Sequence, residues 1–117
     1  MVIFNSSKRK RTLQLIDFLT ANKINSKKDS DVLKLLFNKL FPLFLYKIKL
    51  YGITLSNQDE MVIILEKIGY NVNQISKSLE ISVEEVNQIR QNFYNKFNYL
   101  KPDALLTYIE NPFEAFL

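Results

Sequence analysis

The sequence predicts an all-α protein, and three observations carry that expectation. Glycine and proline are scarce, at two and three in 117 residues, too few for the turns of an all-β chain. From Leu55 to Phe97 the apolar residues recur at helical spacing through three segments separated by tight turns. Each of these segments opens with a helix-start pair: Ser56 with Asp59, Asn71 with Gln74, and Ser82 with Glu85. In such a pair the first side chain accepts from a backbone N–H that the new helix leaves unpaired, and the later one reaches back. Each cap contributes roughly 1 kcal/mol.

A hydrophobic content of 47% suits one small multi-helix domain with its own core. Within it we expect a basic, aromatic-rich helical region over 1–54, a tri- or tetra-helical helix-turn-helix over 55–110, and an apolar tail over 111–117. The chain opens with MVIFNSSKRKR, where Lys8, Arg9, Lys10 and Arg11 make either a basic arm that lies on phosphates or a solvated terminus. From Thr12 to Asn22, Leu13, Ile16 and Leu19, with Leu15 and Phe18, outline an amphipathic first helix that starts at Thr12.

Residues 23–29, KINSKKD, read as a linker. Asp29 and Asp31 do not make a calcium loop, because the turn glycine, the further acidic positions and the closing Glu are missing. Ser30 or Asp31 should cap the next helix, whose Val32, Leu35, Leu36, Lys39 and Leu40 follow the 3.6 period. Pro42 cannot donate to that ladder and disfavours helix at Phe41, so a separate helix should run from about Pro42 to Tyr51 and close at Gly52. Its apolar residues go nearly all the way round, which suggests burial on more than one side. They either pack between the N-terminal helices and the helix-turn-helix or form part of a dimer interface.

In the capped stretch, Ile75, Leu79, Ile81, Val86 and Ile89 sit where two short helices crossing over a tight turn bury them against each other, and Ser76 is small enough for the close approach. After Phe97, Pro102 and Asp103 open a short helix that ends before Asn111–Pro112, with Ala104, Leu105, Tyr108 and Ile109 turned inward or toward a twin subunit. The last residues, with Phe113, Phe116 and Leu117, either tuck back into the chain or dock on a partner.

The order LSNQDE, IGYNVNQIS, LEISVEEV and NKF resembles the LuxR-type DNA-binding domain. It is most similar to the branch at the C-termini of Bacteroidetes regulators, where an aromatic-rich helix comparable to LFPLFLYKIKLYGITL leads in and an Arg stands as Arg90 does here. The resemblance covers about half of the chain and implies a bacterial or phage regulator. Its third helix, residues 83–97, would enter the major groove, and its closing helix would supply a dimer contact. Where the family commonly has Thr, Lys and His, this chain has Glu85, Asn87 and Ile89.

With Val86, Ile89, Phe93 and Phe97 inward, the outward face of 83–97 offers Glu84, Asn87, Gln88, Arg90, Gln91 and Tyr94 to bases. Asn73, Lys77 and the cluster Lys8, Arg9, Lys10 and Arg11 would take the DNA backbone. Charge is distributed against this site. Residues 1–54 hold eleven basic and three acidic side chains, a net +8, whereas residues 55–117 hold five and nine, a net −4. Phosphate neutralisation needs cations near the groove.

Cysteine and histidine are absent, which removes thiolate nucleophiles, disulfides and the usual metal ligands. We find no Gly-rich phosphate loop, nucleophile elbow or acidic cluster at ligand spacing, so neither catalysis nor a cofactor is expected. The longest apolar run, Leu40 to Tyr46, is too short to span a bilayer. The expected function is a cytoplasmic, DNA-binding transcriptional regulator that binds double-stranded DNA, with a homodimer as a further option. The alternative is a protein-interaction module, such as an RNA polymerase- or phage-associated subunit, that engages a partner through its acidic face or C-terminal tail.

Overall fold

Four of the six helices start where a capping side chain puts them, at Ser26, Ser56, Asn71 and Ser82. The computed structural model describes residues 2–21 and 23–100, with side chains from Arg9 to Tyr99. These residues form six α-helices and no strands: α1 (Val2–Ala21), α2 (Lys27–Leu40), α3 (Phe44–Leu50), α4 (Asn57–Ile68), α5 (Val72–Leu79) and α6 (Val83–Leu100). The fold is all-α, as expected. Among the described residues no helix is long and apolar enough to cross a membrane. The closing helix expected from Pro102 and the apolar tail lie outside the described residues.

Ser56 Oγ accepts from the Asp59 N–H, and Asp59 Oδ2 accepts from the Ser56 N–H, both at 3.1 Å. Asn71 and Gln74 make the same reciprocal pair at 2.9 and 2.8 Å. At α6 the Ser82 hydroxyl accepts from the Glu85 N–H at 3.0 Å and lies 3.3 Å from the Glu85 carboxylate, to which it donates.

The N-terminal half departs from the sequence reading in three places. First, α1 begins at Val2, not Thr12, so the Lys8–Arg11 run is part of a helix and not an extended arm. Among its described side chains Leu15 is buried and Phe18 and Leu19 half-buried, while Leu13 and Ile16 are exposed, because α1 packs on α2 through the face that carries Leu15. Second, Ser26 caps α2 by accepting from the Asp29 N–H at 3.1 Å, four residues ahead of the expected Ser30. Ser26 and Asp29 are themselves spaced as a helix start, and that frees Ser30 to be buried, where it accepts from Asn57 Nδ2 at 3.3 Å. Leu33 and Phe37 then face the core, and Leu35 points outward.

Third, α3 is buried on one side only. Phe44, Leu45 and Ile48 enter the core, whereas Leu43, Tyr46 and Leu50 are exposed on the opposite face. The break at Pro42 is as expected, with α2 ending on the Phe41 N–H to Phe37 carbonyl bond at 2.9 Å and Gly52 at φ +82° following α3.

The core is centred on α4. Met61, Val62, Ile63, Ile64 and Leu65 are all buried, because α2, α5 and α6 each pack against this helix. Each such side chain contributes about 1.5–3 kcal/mol by leaving water. Phe37 meets Phe44 edge-on at 5.5 Å, and Tyr51 lies 5.6 Å from Phe97, which ties the end of α3 to α6.

Between α5 and α6 the chain turns through Glu80, which adopts the left-handed conformation at φ 56° and ψ 43°. A side chain there meets its own carbonyl, at a cost of about 1–2 kcal/mol that a β-branched residue increases and glycine escapes. We expect Glu80→Ile to lower unfolding free energy by about 1–2 kcal/mol, and Glu80→Gly to leave it unchanged or raise it. Chemical denaturation of the two variants checks this, and equal losses would remove the turn's conformational role.

Candidate nucleic-acid interface

The helix-turn-helix is closed by its smallest polar residue. Ser76 on α5 donates its hydroxyl to the Ile81 carbonyl across the turn, and the Ile81 N–H returns to the Ser76 carbonyl at 3.2 Å. Both groups of Ile81 are thus held, and α6 leaves the turn in a fixed direction. Ile75, Leu79 and Val86 are buried beneath it, with Ile81 and Ile89 partly buried, as the spacing predicts. Sequence reasoning assigned Ser76 only its small size. The hydrogen bond it makes five residues on has no signature in residue type alone.

Val86, Phe93 and Phe97 seat α6 on the core, with half-buried Ile89 beside them. The opposite side is open: Glu84, Glu85, Asn87, Gln88, Gln91 and Asn95 are exposed. No described helix covers it. Principal packing runs from α1 to α2, from α2 to α4, from α4 to α5 and α6, and from α5 to α6, and Lys23, in the link between α1 and α2, lies 3.6 Å from Glu80 at the turn before α6. On α5, Asn73 and Lys77 are exposed one turn apart. On α1, Arg9, Lys10 and Arg11 are exposed, and Arg11 Nη1 donates to the Lys39 carbonyl at 3.3 Å, the last turn of α2. The Lys8 side chain lies outside the described residues.

Two of the expected base-contacting residues occupy the flank instead of the open face. Arg90 turns back to α4, where its Nη2 donates to Glu66 Oε1 at 3.2 Å. Its guanidinium lies 5.6 Å from the Tyr94 ring centroid, and Nη1 reaches Asn87 Oδ1 at 3.5 Å. Tyr94 is half-buried, packed 6.0 Å from the Phe93 ring. The Glu66 side chain is 12% exposed and that of Arg90 30%. Glu66 stands 24 residues before Arg90, so no local pattern announces the pair.

Burial pushes the Glu66 carboxyl above its ordinary range, and the Arg90 hydrogen bond and charge only partly pull it back. Glu66 Oε2 and Arg90 Nε are both buried with no hydrogen-bond partner among the described residues. The seam is therefore poorly solvated and incompletely satisfied.

Elsewhere an open groove of about 670 Å³ lies where the starts of α2 and α4 meet the end of α5, with Ile24, Met61 and Leu79 among its lining residues. Among the described residues no three His, Cys, Asp or Glu side chains converge to hold a metal ion. Compared with family models, curated proteins and solved structures, the chain matches none.

Arg90→Ala should lower unfolding free energy by about 1–3 kcal/mol near neutral pH, because it leaves the Glu66 carboxylate buried and unpaired. A carboxyl raised in the folded state contributes stability that is complete below its unfolded value and lost as pH rises through the folded one. The intact chain should therefore gain stability relative to Glu66→Gln between about pH 7 and pH 5. Parallel denaturation series measure this, and a relative loss would mean that attraction to Arg90 outweighs burial.

Proposed function

We propose that this chain binds double-stranded DNA through α5 and α6 and acts as a transcriptional regulator, the function implied by its resemblance to LuxR-type domains. The observation that carries the reading is the outward side of α6. It is exposed along its length, presents the amides of Asn87, Gln88, Gln91 and Asn95, and projects from a turn held at both ends by hydrogen bonds. In this arrangement α6 lies in the major groove while Asn73 and Lys77 of α5 meet the flanking phosphates. Asn and Gln match the donor and acceptor edge of adenine.

A second reading draws on a different observation. Glu84 and Glu85 are exposed at the start of α6, beside the amides, and would repel phosphate where approach is needed. An acidic face of this kind suits a basic protein partner.

Salt dependence separates the two. In an anisotropy titration with a random duplex we expect binding at about 50 mM salt that weakens linearly on a log–log plot, and Lys77→Gln should reduce that slope by about one. Absence of binding at low salt, or binding indifferent to salt, would favour the protein-partner reading.

A further inference from the structure

We infer that the outward face of α6 reads adenine, with Arg90 withheld from base contact by Glu66; the inference rests on the DNA-binding reading. The helix carries only two cations, Arg90 and Lys96. Arginine or lysine on the guanine O6 and N7 acceptors is the common way to read a G·C pair. Arg90 is not available for it: its guanidinium is held at 3.2 Å by a carboxylate that is itself 12% exposed, on the α4 side of the helix. Lys96 is exposed, but it stands on the flank beside Leu55 and Asp59 and not on the outward stripe.

What remains on the outward stripe is Glu84, Gln88, Gln91 and Asn95, spaced four, three and four residues apart, with Asn87 beside them. The Gln91 amide carries both a donor and an acceptor, the complement of adenine N7 and N6. Gln88 donates one amide proton to Asn92 Oδ1 at 3.2 Å, which orients its head group and leaves its second proton and its carbonyl for a base. Asn87 is less available, since its carbonyl receives Arg90. Glu84 accepts only, so it takes an amino group of adenine or cytosine and refuses guanine. Two adenines, facing Gln88 and Gln91, are the minimum that this face specifies.

The test is a selection from a randomised duplex pool with the full chain, followed by titration of the selected site. We expect adenine to be enriched at two positions one helical turn of α6 apart. Replacing either by 7-deazaadenine, which lacks the N7 acceptor, should weaken binding about tenfold, and Gln91→Ala should erase the preference at one position while leaving the preference at the other. Enrichment of guanine would overturn the inference while leaving DNA binding intact. So would an adenine preference that survives the 7-deaza substitution, since the signal would then come from the minor groove or from duplex shape. Failure to bind any duplex would remove the DNA-binding reading and this inference with it.

Discussion

A helix buried on every side has to find partners for whatever charges it carries inward, and α4 carries three. Met61 to Leu65 fill the centre of the molecule, and the same helix brings Glu60, Glu66 and Lys67 with it, two of them buried and the third nearly so. Each is met by a different neighbour. Lys34 of α2 donates to Glu60 at 3.1 Å, and Arg90 of α6 to Glu66 at 3.2 Å. The Lys67 ammonium lies over the rings of Phe41 and Phe44, 5.5 and 5.3 Å from their centroids, where α2 gives way to α3. A correctly made pair contributes little net stability, because desolvation offsets attraction. A neighbour slipped by one turn would leave a buried charge uncompensated, which costs far more. The three contacts therefore act on register: they set where α2, α3 and α6 sit along α4, while apolar burial drives them together.

The helix-turn-helix inherits its rigidity from this arrangement. Its α6 is fixed from below by Val86, Phe93 and Phe97, at its side by Glu66, and at its start by Ser76 and Ser82. A strained residue, Glu80, is tolerated at the turn because the chain on both sides is held. The outward side of α6, which no other described helix covers, is correspondingly fixed in direction, and ordering before binding lowers the entropic cost of any contact it makes.

The legible part of this protein is its local chemistry. Ser56, Asn71 and Ser82 mark three helix starts because a cap is a contact between residues three apart, and the burial of Val86, Phe93 and Phe97 follows from a single period. Ser26 was legible too, since its partner Asp29 is three residues on, but Ser30 and Asp31 compete with it in the same polar run. The facing of α1 and α2 could not be read: Leu13 and Ile16 offer as good a stripe as Leu15, Phe18 and Leu19, and only the position of α2 decides between them. For the same reason the site was legible as a face and not as a set of contacts. The amides of Asn87, Gln88 and Gln91 are outward by periodicity alone, whereas the diversion of Arg90 depends on a carboxylate brought from another helix.

That diversion bears on how a chain with this charge distribution would discriminate between DNA sites. Non-specific attachment scales with the cations that meet phosphate, and here α6 itself carries two, Arg90 and Lys96, while most Lys and Arg of the chain lie in residues 1–54. Glu84 and Glu85 also offset the positive end of the α6 dipole, so the first turn of the helix adds little attraction for phosphate. If α6 reads DNA as proposed, Lys77 and its neighbours would give weak, salt-dependent attachment to any sequence at low salt, and discrimination would rest on hydrogen bonds to base edges. Low background affinity raises the ratio of specific to non-specific binding even when the specific complex is modest, and that ratio, more than the dissociation constant, decides occupancy among competing sites. Removing Arg90 from the face works in the same direction, since a mobile guanidinium would have added phosphate contacts at every sequence alike.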